Sequence, residues 1–342
     1  MSWGTAGLRT HIWNNNLRSI VLLAFFPVLL VGVGYALTIL LTGFTDPAQL
    51  VPVNTGGSFS VGPIWAAEFA RLPRIGVWSL IIAGIWFVIA WFFHQAMINA
   101  ATGARPVARK DEPELYNLLE NLCISRGLQM PKLAIIESEA LNAYASGVRE
   151  GQYTVTVTRG LMQRLDTAEL EAVLAHELSH IRHQDVRLLV VSIIFVGIIS
   201  FAAEMVFRRI FWVGMRAGGD RRSGGRSGGM VIVVALAILA IAYLLAIVIR
   251  FSLSRQREYM ADAGAVELTH NPDAMIRALE KISGHSDLKN APEEVREMFI
   301  DNAATGFMGM FATHPPIEKR IEMLVEHAGG RRVARGTSVP QV

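Results

Sequence analysis

Four apolar runs divide this chain and limit what it can fold into. They span Ile20–Leu41, Ile75 to about Ala100, Leu188–Ala203 and Met230–Ile249. The chain has 342 residues, 52% of them hydrophobic, and its mean hydropathy is +0.36. That is too apolar for an ordinary water-soluble domain of this size, so the runs are read as membrane segments. The first, second and fourth are long enough to cross a bilayer. The third is sixteen residues, about 24 Å as a helix against a hydrocarbon core of roughly 30 Å. Whether the second pair spans fully is left open. Pro27 is tolerable inside a membrane helix, and aromatics such as Trp78, Trp91 and Phe93 partly mark interfaces. His94 reads as an interfacial residue at a helix end in preference to a ligand. The first run is too long for the core of a cleavable signal, and no small-residue cleavage site follows it.

A polar connection, Thr42 to Arg74, joins the first two runs and a flexible Gly/Ser/Arg stretch, Ala217 to Gly229, lies between the last two, while the composition is globular from Arg105 and again after Arg250. Glu112–Arg126 predicts a helix, with Pro113 near its start and Gly127 at its end. Lys132–Ile136 predicts a short strand. Gln152–Thr158 alternates polar and apolar residues, as a half-buried strand does, with Arg159-Gly160 turning out of it. Asp166 or Thr167 can cap a helix running to about His183 whose inward side carries Leu170, Val173, Leu174, Leu178 and Ile181. Further helices are expected over Ser254–Glu267, from Asn271-Pro272 to near Gly284, from Pro292, and up to about His327. Together these elements give a mainly α fold with a small β-sheet, an α+β class. The expected organisation is 1–104 as an N-terminal membrane region, 105–187 as the first part of a globular domain and 188–250 as a second apolar hairpin. Residues 251–328 complete the globular domain, and 329–342 form a disordered tail.

The chemistry concentrates in His176-Glu177-Leu178-Ser179-His180, an H-E-x-x-H motif on the helix after Asp166. His176 and His180 lie one turn apart on the same face, so their imidazoles can share one Zn²⁺, with Glu177 about 100° round the axis. A catalytic zinc needs a third protein ligand and an open position. Glu258 and Asp262, four residues apart on a downstream helix, can supply a ligand and an acceptor for a ligand imidazole. Spacing alone leaves a rival reading open, an exposed acidic face paired with Arg255 or Arg257.

Further motifs accompany these in order: Leu141-Asn142-Ala143-Tyr144-Ala145-Ser146-Gly147, Arg257-Glu258-Tyr259-Met260-Ala261-Asp262, and Thr313-His314-Pro315-Pro316-Ile317-Glu318-Lys319-Arg320-Ile321. With the H-E-x-x-H motif they resemble the HtpX branch of membrane zinc metalloproteases, of which the CAAX prenyl endopeptidases are more distant relatives. The resemblance covers roughly residues 15 to 325. It implies a zincin-like metalloprotease domain joined to a transmembrane helical bundle. It also implies one zinc held by His176, His180 and Glu258, with Glu177 as general base and Asp262 as a carboxylate behind the ligands. His314 is implied to stabilise the tetrahedral intermediate and Asn142 to hold substrate backbone.

The implied activity is endoproteolysis of misfolded or damaged polypeptides in protein quality control. The implied setting is a bacterial inner membrane, with the site facing the cytosol. The strand over Tyr153–Val157 is expected to offer an edge for an extended substrate. Phe307, Met308, Met310 and Phe311 are read as core in preference to an adaptable substrate-binding surface. The rivals are a prenyl endopeptidase and a non-catalytic membrane adaptor or holdase with a structural zinc. A structural site would need a fourth protein ligand, which no Cys/His cluster supplies. Net charge is +3, and no nucleic-acid motif accompanies the scattered arginines, so nucleic acid is not an expected partner. The single cysteine, Cys123, excludes an intrachain disulfide framework. The lipid bilayer and polypeptide substrates remain as partners, and oligomeric state is not addressed by the sequence.

Overall fold

The computed structural model describes residues 30–35, 53–55, 58–60, 62–187, 189–190, 208, 255–288, 291, 293–296, 298–301 and 314–332. Most of the first apolar run, nearly all of 188–250, the Phe307–Phe311 stretch and the tail after Arg332 lie outside the described residues. The described residues fall in two compact units. One is drawn from 93–193 and 250–342, the other from 17–92 and 194–249.

In the second unit, β1 (Val53–Thr55) pairs antiparallel with β2 (Ser58–Ser60). Helix α1 runs over Gly62–Thr102 and crosses from this unit into the first. The sequence predicts a polar connection from Thr42 to Arg74, whereas the hairpin and the first turns of α1 occupy part of it. Pro63 suits a helix's first turn, where its missing N–H leaves no bond unmade. Along α1, Val77, Trp78, Ile82, Ile85, Trp86 and Phe92 are exposed. Among the described residues no single helix is long and apolar enough to cross a membrane, but Pro73–Ile89 and Trp91–Thr102 pass that test together as a bent pair.

In the first unit, β3 (Arg105–Val107) leads to α2 (Pro113–Arg126) and β4 (Lys132–Ile136). Gly127 ends α2 in the left-handed conformation and sends its N–H back to the Cys123 and Ile124 carbonyls, a conformation glycine adopts without a Cβ penalty. Strands β5 (Ala143–Ser146) and β6 (Thr154–Thr158) follow. The sheet order is β3-β4-β6-β5, with β4 and β6 parallel and the other pairs antiparallel.

Two expectations about β6 are corrected here. It is interior to the sheet, so it cannot offer an edge to a substrate; β5 is the edge strand on that side. It is also buried on both faces. Val155 and Val157 face the helical core. The other face of the sheet is covered by the end of α1, where Thr102 Oγ1 lies 3.0 Å from Tyr144 Oη and Ser146 Oγ donates to Gln95 Oε1 at 2.8 Å. The threonines that read as solvent-facing thus lie in a buried polar layer, where Thr158 Oγ1 donates to the Ala140 carbonyl at 2.6 Å. Nor does Arg159-Gly160 make a simple turn. It opens a short helix, α3 (Arg159–Arg164), capped by the Thr158 hydroxyl. His94 is buried within α1, away from its end.

Helix α4 (Thr167–Arg182) starts with a complete capping box: Asp166 accepts from the Glu169 N–H, and Glu169 accepts from the Asp166 N–H. Buried Glu169 also pairs with Arg277 and Lys281 of α6 (Pro272–Ile282), fixing the start of α4 against it. Asn271 caps α6 by accepting from the Ala274 N–H, which makes Asn271-Pro272 a helix start. Helix α5 (Arg255–Thr269) packs along α4. At their closest approach, a Cβ built on Gly264 would lie 1.8 Å from Ser179 Oγ, so no side chain fits there. A short α7 (Glu293–Arg296) precedes α8 (Ile317–Ala328). The sequence predicts disorder from Gly329, but the chain stays tied past it: the Arg331 N–H donates to Asp273 Oδ1 at 2.6 Å. The core joins Leu119, Cys123, Val157, Leu174, Leu279 and Ile321 from five of these elements.

Candidate metal centre

The close contact of α4 with α5 sets the site. His176 and His180 project from one face of α4 with ring centroids 4.7 Å apart and planes at 87°. Their Nε2 atoms are 3.1 Å apart. Glu258, in the first turn of α5, brings Oε2 to 3.6 Å from His176 Nε2 and Oε1 to 3.5 Å from His180 Nε2. One ligand atom from each residue lies within 4.8 Å of the others, and all three residues are buried.

Each imidazole is held from behind by a carboxylate. His176 Nδ1 is 3.0 Å from Asp262 Oδ1, and His180 Nδ1 is 3.2 Å from Asp185 Oδ2. With a proton on each Nδ1, the two Nε2 lone pairs face each other and an ionised carboxylate, an arrangement that repels itself unless a cation lies between. A tetrahedral metal with bonds of about 2.0–2.1 Å to nitrogen has ligand–ligand edges of roughly 3.3–3.4 Å, close to the separations found. The residues therefore fit a divalent metal, and the nitrogen and oxygen donor set suits zinc.

Electrostatics supports the ligand form of Glu258. Burial alone would raise its pKa, but His314, His180 and His176 outweigh it and hold the carboxyl well below its usual range. Asp262 is likewise held low, against burial, by Arg320. Arg320, fully buried, makes a bidentate pair with Asp262 at 2.6 and 2.8 Å and donates to the Ile300 carbonyl at 2.7 Å. The exposed acidic face that spacing left open for Glu258 and Asp262 is thus overturned, since both are buried and engaged. For Glu177 the balance runs the other way. Burial is the largest influence and its pKa is raised, with the neighbouring histidines opposing. It lines the same small cavity as His176, His180, Glu258 and His314. His314 brings Nδ1 to 3.2 Å from Glu258 Oε2.

Asn142 stands apart from this cluster. It is fully buried, and its amide is committed to backbone: Nδ2 donates to the Ser286 and Asp301 carbonyls, while Oδ1 accepts from the Ala143 and Ile300 N–H groups. As it stands, no part of the amide is turned to a substrate, so the expected holding role is not supported by this geometry. Asp185 and Arg320 are the residues that sequence reasoning missed. Asp185 lies five positions after His180, off the helical period. It comes back to the imidazole because α4 stops and Gln184 takes a left-handed conformation (φ 59°). No glycine or proline announces that turn. Arg320 belongs to a quoted motif, but nothing near it in the chain names its partner.

The fold and site together define a zincin-like metallopeptidase: a mostly helical domain with a small mixed sheet and an H-E-x-x-H helix completed by a downstream glutamate. The chain belongs to peptidase family M48, whose sequence model matches residues 109–328. It is 44% identical over 329 residues to a protein described as "Protease HtpX homolog" from Bacteroides fragilis, covering 93% of this chain and 98% of that one. It is 36% identical over 256 residues to a protein of the same description from Listeria monocytogenes, covering 72% and 84% of the two chains. Among solved structures it is similar to S. mikatae Ste24p, at a TM-score of 0.45 and 16% identity over 92% of this chain and 66% of that one. The chain is a zinc metalloprotease by family, and its substrates are polypeptides.

Proposed function

We propose that this chain is a membrane-anchored zinc endopeptidase in which His176, His180 and Glu258 hold the metal and Glu177 moves the proton. The observation that carries this reading is the convergence of the His176, His180 and Glu258 ligand atoms beside a buried carboxylate of raised pKa. Bound zinc supplies Lewis acidity and lowers the pKa of a water it holds toward 7. Glu177 accepts the proton as water oxygen bonds to the scissile carbonyl carbon, and then delivers that proton to the departing amine as the C–N bond breaks. His314, which lines the same cavity, donates a hydrogen bond to the developing oxyanion. Asp262 and Asp185 hold the two imidazoles in the Nδ1–H tautomer, and Arg320 holds Asp262.

The exposed apolar surface of α1 supports membrane attachment. The bilayer is then the chain's second partner, as a multi-pass protein of a bacterial inner membrane with its site in the cytosol. Unfolded or damaged proteins, membrane proteins included, are the substrates this setting offers. A non-catalytic structural zinc would be closed by a fourth protein ligand, and among the described residues the cluster has three. The test is Glu177→Gln. It is expected to retain one zinc per chain while cleavage of an unfolded polypeptide falls about 10²–10⁴-fold. A zinc-loaded Gln variant that still cleaves at the original rate removes Glu177 from this role.

A further inference from the structure

The edge of the sheet nearest the metal site is already taken by a segment of the same chain. Strand β5 pairs with β6 on one side. Asn142 and Thr158 bond each other on that side, so in an antiparallel ladder Ala143 and Ala145 turn their peptide groups to the other. There the Ala143 carbonyl accepts the Ile300 N–H at 3.0 Å. One residue back, the Asn142 amide donates to the Asp301 carbonyl at 3.2 Å. One residue on, the Tyr144 and Phe299 rings lie 5.5 Å apart. Next, Met298 and Ala145 line one cavity with His176, Glu177 and His180. Residues 298–301 thus lie beside 142–145, tied to β5 by the backbone bond from Ile300 to Ala143. Met298, Phe299 and Ile300 are buried.

We infer that residues 298–301 are a built-in occupant of the peptide-binding edge, competing with an extended polypeptide for the outer side of β5, and that they leave before a substrate bond reaches Glu177. An edge strand takes a peptide by main-chain hydrogen bonds with little demand on side-chain identity. A chain segment seated there therefore suppresses cleavage of every substrate alike. A segment that covers the edge nine-tenths of the time raises the apparent KM about tenfold. This inference rests on the peptidase reading of the site, and the test separates the two.

The experiment is hydrogen–deuterium exchange on the full-length, zinc-loaded protein in detergent micelles, with and without a saturating peptide hydroxamate as the probe. Binding is expected to speed exchange of the Ile300 amide about tenfold or more while the β5 amides stay protected, the opposite of the usual protection by a ligand. A bound hydroxamate that leaves the Ile300 amide unchanged or better protected overturns the competition and leaves the peptidase reading standing. Failure of the zinc-loaded protein both to bind the hydroxamate and to cleave an unfolded polypeptide overturns the peptidase reading and the inference with it. Ile300→Pro, which removes the donor to Ala143, gives a kinetic counterpart. KM is expected to fall about tenfold. Unchanged or raised KM at full zinc content counts against the proposal, and the exchange measurement decides on the unmodified protein if that variant does not fold.

Discussion

At His180 the motif states the ligand but not what aims it. That is Asp185, carried back to the ring by the left-handed Gln184 and buried where it meets Nδ1. Carboxylates behind metal-binding imidazoles typically contribute 10–100-fold in metal affinity. Asp185→Ala is expected to weaken zinc binding by about that factor, read by competition with a chromophoric chelator, while Asp185→Asn, which keeps an acceptor, loses less. An unchanged zinc affinity in Asp185→Ala would strip Asp185 of this role. Glu177 sets the pH dependence. Burial raises its pKa, and a proton on the base removes it from the reaction, so activity falls as pH drops through that raised value. The acid limb of kcat/KM is therefore expected above the ordinary glutamate pKa of about 4.3, and a limb at or below that value contradicts the assignment. His176, Glu177, His180, Glu258 and Asp262 were readable because helical spacing and a known motif order are local properties of the chain. Asp185 and Arg320 were not, because a turn without a breaker residue and a buried pair across two helices leave no local trace.

Between elements, the contact of α4 with α5 brings the third ligand within reach, and it depends on Gly264. Substituting Gly264→Ala drives a Cβ into Ser179 Oγ. Overpacking of this kind costs about 1–3 kcal/mol. Here it should also move Glu258 relative to the two imidazoles. Both a lower Tm and weaker zinc binding are expected, with recovery of both when Ser179→Gly is added. A Tm loss that Ser179→Gly leaves untouched would show that the closeness of these helices is not the cause. The sheet teaches a related lesson. Alternation placed β6 correctly in the chain but not in the molecule, since period two reports one apolar face and is silent on whether the polar face meets water or the end of α1. The order β3-β4-β6-β5 is likewise a matter of long-range pairing, and it moved the edge from β6 to β5.

Among the described residues, α1 carries most of the exposed large apolar side chains. Ile82 is 62% exposed, at the middle of the Pro73–Ile89 stretch of α1. If that stretch lies in lipid, Ile82→Arg costs roughly 2.5–3.5 kcal/mol at the centre of a membrane helix. A loss of protein from the carbonate-resistant membrane fraction is expected. Full retention of the variant would argue that this stretch does not sit in the hydrocarbon.

Composition and periodicity settled the α+β class, the boundaries of most helices, the apolar runs and the ligand types, because these follow from hydrophobic spacing and from which side chains bind zinc. Folding alone decided that His176, His180 and Glu258 meet at one point, that Asn142 faces backbone and that Ile300 bonds Ala143 of β5. Those outcomes depend on packing between segments distant in the chain, where no short-range pattern fixes which partner each group finds.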